Sequence, residues 1–383
     1  MSAAQWRKAM NLRPARDWSG GRRPAGPPTP PAGRQAAGAG QASPPAGAVR
    51  GWIAAIGLRH VVVLVAALVY PLLATPFFTF QIGAQSLALG LIALSLTFLA
   101  GYGGMLSLAQ MTVAGIAGYV VAIFGVSGTA AISLGWPWWL AVLLALVVAV
   151  IAGTLIGWLS VRTDGIYTIM ITLAIGVAFF YLVQQNYALF NGFQGFQQVL
   201  APTVLDVDFR EPVPFYYLCL FWALAGYLFV KYLSRAPFGI ALQGTRDNAR
   251  RMAALGFDVT AIRIAAYAVA ALLAAVGGVL LVWYNALITP GSVGTSWMIN
   301  ILIIAVLGGM RHPIGPFLGA VVFVLLQNFA IDLVDRERFN LVIGVVFLAI
   351  VLFSTDGLLG WWSPIRAWFR NPGARNRPAR RNG

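Results

Sequence analysis

Few residues of this chain are equipped for chemistry. Its two histidines, His60 and His312, stand at the edge of an apolar run and beside Pro313. Neither belongs to an HExxH pattern, and no Cys/His cluster or GxxxxGK[ST] phosphate loop occurs, so the sequence offers no zinc site and no route to ATP hydrolysis through a P-loop. The single cysteine, Cys219, cannot form an internal disulfide and suits a small buried apolar position. Carriers driven by protons or sodium usually place an acid, Lys or His at membrane depth. Here the apolar runs are almost free of such groups, and Arg162 and Asp164 fall between two of them, as a turn pair would.

The exception is a polar island, KYLSRAPFGIALQGTRDNARRMAALGFDVTAIR, at 231–263. It sets Lys231, Arg235, Arg246, Arg250, Arg251 and Arg263 against Asp247 and Asp258. Pro237 and Gly239 break the preceding run. From Ile240 to Leu255 the pattern predicts one short amphipathic helix, with Leu242, Ala249, Met252 and Ala253 on one side and Gln243, Arg246, Asp247, Arg250 and Arg251 on the other. Gly256 suits its C-terminal cap, and Asp258 or Thr260 can cap the next span. Such a helix, with Ala253, Ala254 and Gly256 keeping one flank small, can enter a groove on a partner or lie on lipid headgroups.

The elements around the island are membrane spans. Of 383 residues, 59% are hydrophobic and 10% charged, whereas a soluble domain carries about 25% charged residues. Ten apolar runs approach the length a bilayer requires, at 60–78, 84–101, 105–124, 138–159, 165–184, 214–230, 264–288, 297–310, 314–331 and 339–355. The third, eighth and ninth are short or glycine-rich and can be re-entrant pieces. Most of the net charge of +15 sits in the tails: residues 1–50 hold eight basic residues and one acid, and residues 363–383 hold six basic residues and no acid. With no nucleic-acid motif present, basic tails beside spans mark the cytoplasmic side and meet anionic lipid. Residues 1–50 are too poor in large apolar side chains to fold and are expected to be a disordered cytoplasmic tail. Ten spans with both ends inside place 185–213 outside, with Asn186, Asn191, Gln194, Gln197 and Gln198 available to an external partner or to water, and place 231–263 inside. The loop at 332–338, with two arginines outside, is a mild exception.

Two segments echo each other. Gly103-Gly104-Met105 and Gly308-Gly309-Met310 each precede a stretch of small residues, the kind of interruption transporters built from two repeats show in corresponding places. Within GYGGMLSLAQMTVAGIAGYVVA, Gln110 is either a residue of a translocation path or an interhelical hydrogen-bond partner. Thr168 and Thr172 share one helix face and either line a path or bond back to their own helix.

GYGGMLSLAQMTVAGIAGYVVA, DGIYTIMITLA, APFGIALQGTRDNARRMAALGFDVTAIRIAAYAVAALLAAVGGVLL and VLGGMRHPIGPFLGAVV, in this order over about 84–357, resemble the permease subunits of branched-chain amino acid ABC importers, the LivM type. The resemblance implies an all-α polytopic membrane protein with about ten transmembrane or re-entrant helices in two pseudo-repeats and a cytoplasmic coupling helix, its permease domain at 51–362. It implies a non-catalytic subunit in the bacterial cytoplasmic membrane. Its partners would be a second homologous permease, two ATPases that bind ATP and Mg, and an extracytoplasmic solute-binding protein. It assigns Ala236, Pro237, Phe238, Gly239, Arg246, Asn248, Ala254, Leu255 and Gly256 to ATPase coupling, where the island's own Arg250 and Arg251 join them, and Gly101, Gly103, Gly104, Gly308 and Gly309 to the translocation path, for which the residues themselves offer Gln110, Thr168 and Thr172 as further candidates. Substrates of this group range over branched-chain amino acids, urea, short amides and aromatic acids. Ile240 and Gln243 stand where such loops commonly carry Arg, and Arg250 and Arg251 where Glu or Ile is usual, which points to a dedicated ATPase. The reading from another class is an autonomous secondary carrier or channel.

Overall fold

The structure, a computed structural model, describes residues 58–129, 132–163, 165–204 and 207–333, together with positions 344 and 348. The two basic tails and, apart from those two positions, the run at 339–355 lie outside the described residues.

Within the described residues the apolar runs fold as helices, the form that satisfies every backbone group within its own segment when no water is at hand, and the polar island adds one more, α7. They are α1 Leu58–Leu73, α2 Pro76–Tyr102, α3 Gln110–Phe124, α4 Trp138–Ser160, α5 Ile166–Gln185, α6 Pro212–Leu233, α7 Pro237–Ala254, α8 Val259–Asn285, α9 Thr295–Gly308 and α10 Gly315–Leu333. Of these, α2, α4, α5, α6 and α8 are long and apolar enough to cross a bilayer, and α3 and α9 are shorter apolar helices. The chain is an all-α polytopic membrane protein.

Four boundaries differ from the sequence expectation by five residues or more, among them the start of α8, at Val259 rather than 264. The first run ends at Leu73 and the next helix begins at Pro76 rather than 84. Thr75 is extended ahead of that proline, which cannot continue a helix from the residue before it. The third helix starts at Gln110, not 105. Gly104, at φ +69°, turns the chain out of α2, and 104–107 then run without regular structure.

The long α2 is not uniform. Its α-helical middle, Gln85–Thr97, is flanked by π-helical turns at Thr79–Ala84 and Phe98–Tyr102. Single π-turns inside helices commonly mark functional places.

The core is built around α8, which packs against α2, α3 and α4. In lipid, where apolar burial drives little association, close helix crossings depend on small residues. Gly278 is such a crossing: a Cβ there would strike the Ala114 carbonyl of α3. On the adjacent face Gly277 meets Ile92 of α2, and Gly153 of α4 meets Ala271. Helix α10 packs on α2 and α9. Helix α5 buries a narrow stripe, Thr168, Thr172, Gly176 and Val183.

At the end opposite α7, short strands tie down the loop after α5. β1 Phe196–Gln197 pairs antiparallel with β4 Leu287–Ile288, Phe196 opposite Ile288. β2 Thr203–Val204 pairs with β3 Val207–Asp208. The bonds fix the loop to the end of α8, with Phe196 fully buried against Tyr119.

Candidate coupling site

The α6–α7 corner is rigid for local reasons. Ala236 is extended at the N-cap and Pro237 takes the first helical position, where its missing N–H leaves nothing unsatisfied. Gly239 is buried so closely on the Leu233 carbonyl that a side chain cannot fit. Phe238 packs on the core. Gln243 Nε2 donates to the carbonyls of Ser234 and Gly239, at 2.9 and 3.0 Å, tying the helix to the end of α6.

The single amphipathic helix expected over Ile240–Leu255 is in fact two helices end to end. Asn248 has φ −158° and ψ 94°, outside helical geometry. Its Oδ1 accepts from the Arg251 N–H at 2.9 Å, so Asn248 caps the second, shorter piece. That piece closes at Gly256, whose φ of +89° is left-handed, with the Gly256 and Phe257 N–H groups donating to the carbonyls of Ala253 and Met252. Of the two candidate caps for α8, Asp258 serves: its Oδ1 accepts from Ala261 N–H at 3.0 Å.

The two pieces face different ways. In the first, Leu242 and Thr245 are buried. In the second, Arg250, Arg251, Ala254, Leu255 and Gly256 are exposed, as is Phe257 beyond it, and Leu255 exposes 66% of its surface. The tip is thus an apolar knob with arginines at its base.

Arg246 behaves differently from Arg250 and Arg251. Its Nη1 donates to the Gly101 carbonyl at 2.5 Å, and Nε and Nη2 each lie 3.0 Å from Asp247 Oδ1. The guanidinium therefore meets the C-terminal end of α2, where unpaired carbonyls and the helix dipole favour a cation. Gly104 makes room for the arm, since a Cβ there would lie 2.6 Å from Arg246 Cγ. Gly103 faces Leu242. Gly101 in turn packs against the Met310 carbonyl of the second glycine segment. Both Gly-Gly-Met echoes thus converge beside α7. Gly308 and Gly309 form the tight passage from α9 to α10, packed backbone to backbone on Gly315.

The other path candidates are held within the helix bundle. Gln110 is buried, and its Oε1 accepts from Ser95 Oγ at 3.0 Å. Thr172 is fully buried; its Oγ1 donates to the Thr168 carbonyl and accepts from the Leu108 N–H at 3.1 Å. It thereby satisfies a backbone group in the unwound segment before α3. Thr168 and Gly104 line a cavity of about 260 Å³ at the α7 end, together with Arg263 and Tyr267.

The profile of the family described as "Branched-chain amino acid transport system / permease component" matches residues 78–351, which covers α2 to α10 and the whole α7 region. The chain belongs to this permease family. It is 26% identical over 304 residues, 73% of this chain and 68% of the relative, to the high-affinity branched-chain amino acid transport system permease protein LivM of Salmonella typhimurium. The LivM protein of Escherichia coli is 25% identical over the same extent. The autoinducer 2 import system permease protein LsrC of Photorhabdus laumondii is 27% identical over 259 residues, 65% of this chain and 73% of the relative. No solved structure matches at a significant level.

The permease also carries a polar cluster that sequence reasoning missed. At the end opposite α7, Tyr284 Oη of α8 donates to Gln81 Oε1 at 3.0 Å and lies 3.4 Å from Gln85 Oε1, while Gln81 Nε2 reaches Asn328 Oδ1 of α10 at 3.5 Å. Gln81 sits in the first π-turn of α2. Gln81 and Gln85, four residues apart in an otherwise apolar run, were the available signal.

Proposed function

We propose that this permease is the transmembrane subunit of an ATP-driven ABC importer for branched-chain amino acids or similar small polar solutes. Its access to either side of the membrane alternates as a separate ATPase turns over. The observation that carries the reading is the bond from Arg246 to the Gly101 carbonyl, because it gives a docking helix a direct hold on a span.

On this reading the membrane is the bacterial cytoplasmic one, both termini and α7 lie inside, and the loop at 186–211 faces a solute-binding protein. The channel is completed by a second homologous permease. Two ATPases bind ATP and Mg; this chain binds neither. The knob from Ala253 to Phe257 enters a groove on one ATPase, with Arg250 and Arg251 at the groove's rim. When ATP closes the ATPase pair, the knob moves and the first half of α7 moves with it. Leu242 against Gly103 and Arg246 on Gly101 pass the displacement to α2, and Gly101 against Met310 passes it to the α9–α10 passage. The π-turn at Phe98–Tyr102 lies where α2 must absorb that movement. Relatives named for branched-chain amino acids and a sequence without an ATP site or ion-coupling groups support the assignment.

The experiment is uptake of radiolabelled leucine, isoleucine and valine into proteoliposomes holding the permease with its partner permease, ATPases and binding protein. Uptake that requires ATP and every partner supports the reading. Uptake by the permease alone, driven by a proton or sodium gradient, overturns it in favour of a secondary carrier.

A further inference from the structure

A cavity of about 480 Å³ lies at the end of the permease opposite α7, within the range typical of small-molecule sites. Its base is apolar, with Val121 of α3, Ala141 of α4 and Trp283 of α8. Trp136 and Trp138, from the loop before α4 and its first residue, form a half-exposed aromatic wall, and residues 198–203 bound the remaining side. One cation, Arg210, joins this lining. It is exposed and sits only 4.0 Å from Asp208, a loose pair that leaves the guanidinium available to a second acceptor.

These features select a ligand. An apolar base wants an apolar body, and Arg210 wants a carboxylate, which it can grip with two parallel bonds. A simple anion is a poor match, because Asp208 and Glu211 flank the arginine. A zwitterion is a good one: its ammonium finds the faces of Trp136 and Trp138 while its carboxylate takes Arg210. We propose that this cavity is an outer subsite for one apolar amino acid, held by its carboxylate on Arg210 and its side chain against Trp283. The inference rests on the importer reading and adds to it a place where substrate is held by this chain before transport.

The test is equilibrium binding of radiolabelled leucine to the full chain in phosphatidylcholine nanodiscs, without binding protein or ATPase. Saturable binding is expected, weakened about tenfold or more by Arg210→Gln, because the charge-assisted bonds are lost. Trp283→Ala gives a comparable loss, and 4-methylpentanoate, which lacks only the ammonium, and isoamylamine, which lacks the carboxylate, compete poorly. Arg210 is exposed, so its variant keeps the fold. Absence of leucine binding to the wild-type chain overturns the subsite, as does wild-type affinity in both variants. Retention of a phospholipid that Arg210→Gln releases, with no leucine bound, also overturns it. Because the complete importer is assayed in parallel, ATP-driven leucine uptake without binding to the isolated chain removes the subsite alone. No uptake of any apolar amino acid by the complete importer removes the importer reading itself.

Discussion

Among the arginines of the 231–263 island, Arg246, Arg250 and Arg251 are all exposed, and Arg246 bonds a carbonyl of α2. Sequence patterning puts all three on one face, because it assumes a continuous helix. The helix breaks at Asn248, and after the break the same residue types point elsewhere. Asparagine is weak inside a helix and strong at its start, so the break was legible in principle; the apolar periodicity through Ala249 and Met252 concealed it. Removing the cap exposes the Arg251 N–H to competition from water. Asn248→Ala should therefore loosen the second piece by about 1 kcal/mol, seen as faster amide exchange at Arg251 with exchange at Leu242 unchanged. The knob beyond it should be sensitive to charge. Leu255→Glu leaves the exposed tip folded but places a carboxylate where an apolar contact is proposed. It should cut ATP-driven uptake and lower co-purification of the ATPase, and unaltered co-purification would show that the tip is not the docking knob.

At the scale of elements, α2 is the member that links the two ends of the permease. Its C-terminal π-turn carries the Gly101 carbonyl that receives Arg246, and its N-terminal π-turn carries Gln81, which receives Tyr284. The helix itself was legible as an apolar run, but its start was misplaced because Pro76 lies within apolar sequence and its break in the chain is a matter of φ, not of hydropathy. The π-turns carry no signature of their own. The polar cluster among α2, α8 and α10 was hidden because its members come from distant parts of the chain, and only folding brings them together. Tyr284→Phe removes the donor and leaves glutamine acceptors without it, at a cost of about 1–2 kcal/mol. The thermal midpoint of the detergent-solubilised permease should fall, and an unchanged midpoint would mean that this bond does not join the helices.

At the scale of the whole molecule, the family, the helical fold and the separate α7 segment were all readable from composition, charge and four sequence segments. The path assignments were read with less resolution. Gln110 and Thr172 stood open between lining a path and bonding within the bundle, and in the structure each holds a buried bond inside it. The glycines were marked as a repeat-like echo, and only the structure brings Gly101 against Met310, with both echoes beside α7. On the proposed reading, energy enters through one hydrogen bond and one packed contact. That central claim is tested most directly by Arg246→Ala in the assembled importer, with uptake and ATP hydrolysis measured on the same proteoliposomes. Uptake is predicted to fall about tenfold or more, as loss of a charge-assisted bond allows, while ATP hydrolysis continues, with Arg246→Lys intermediate. Uptake and hydrolysis both unchanged in Arg246→Ala would contradict the claim.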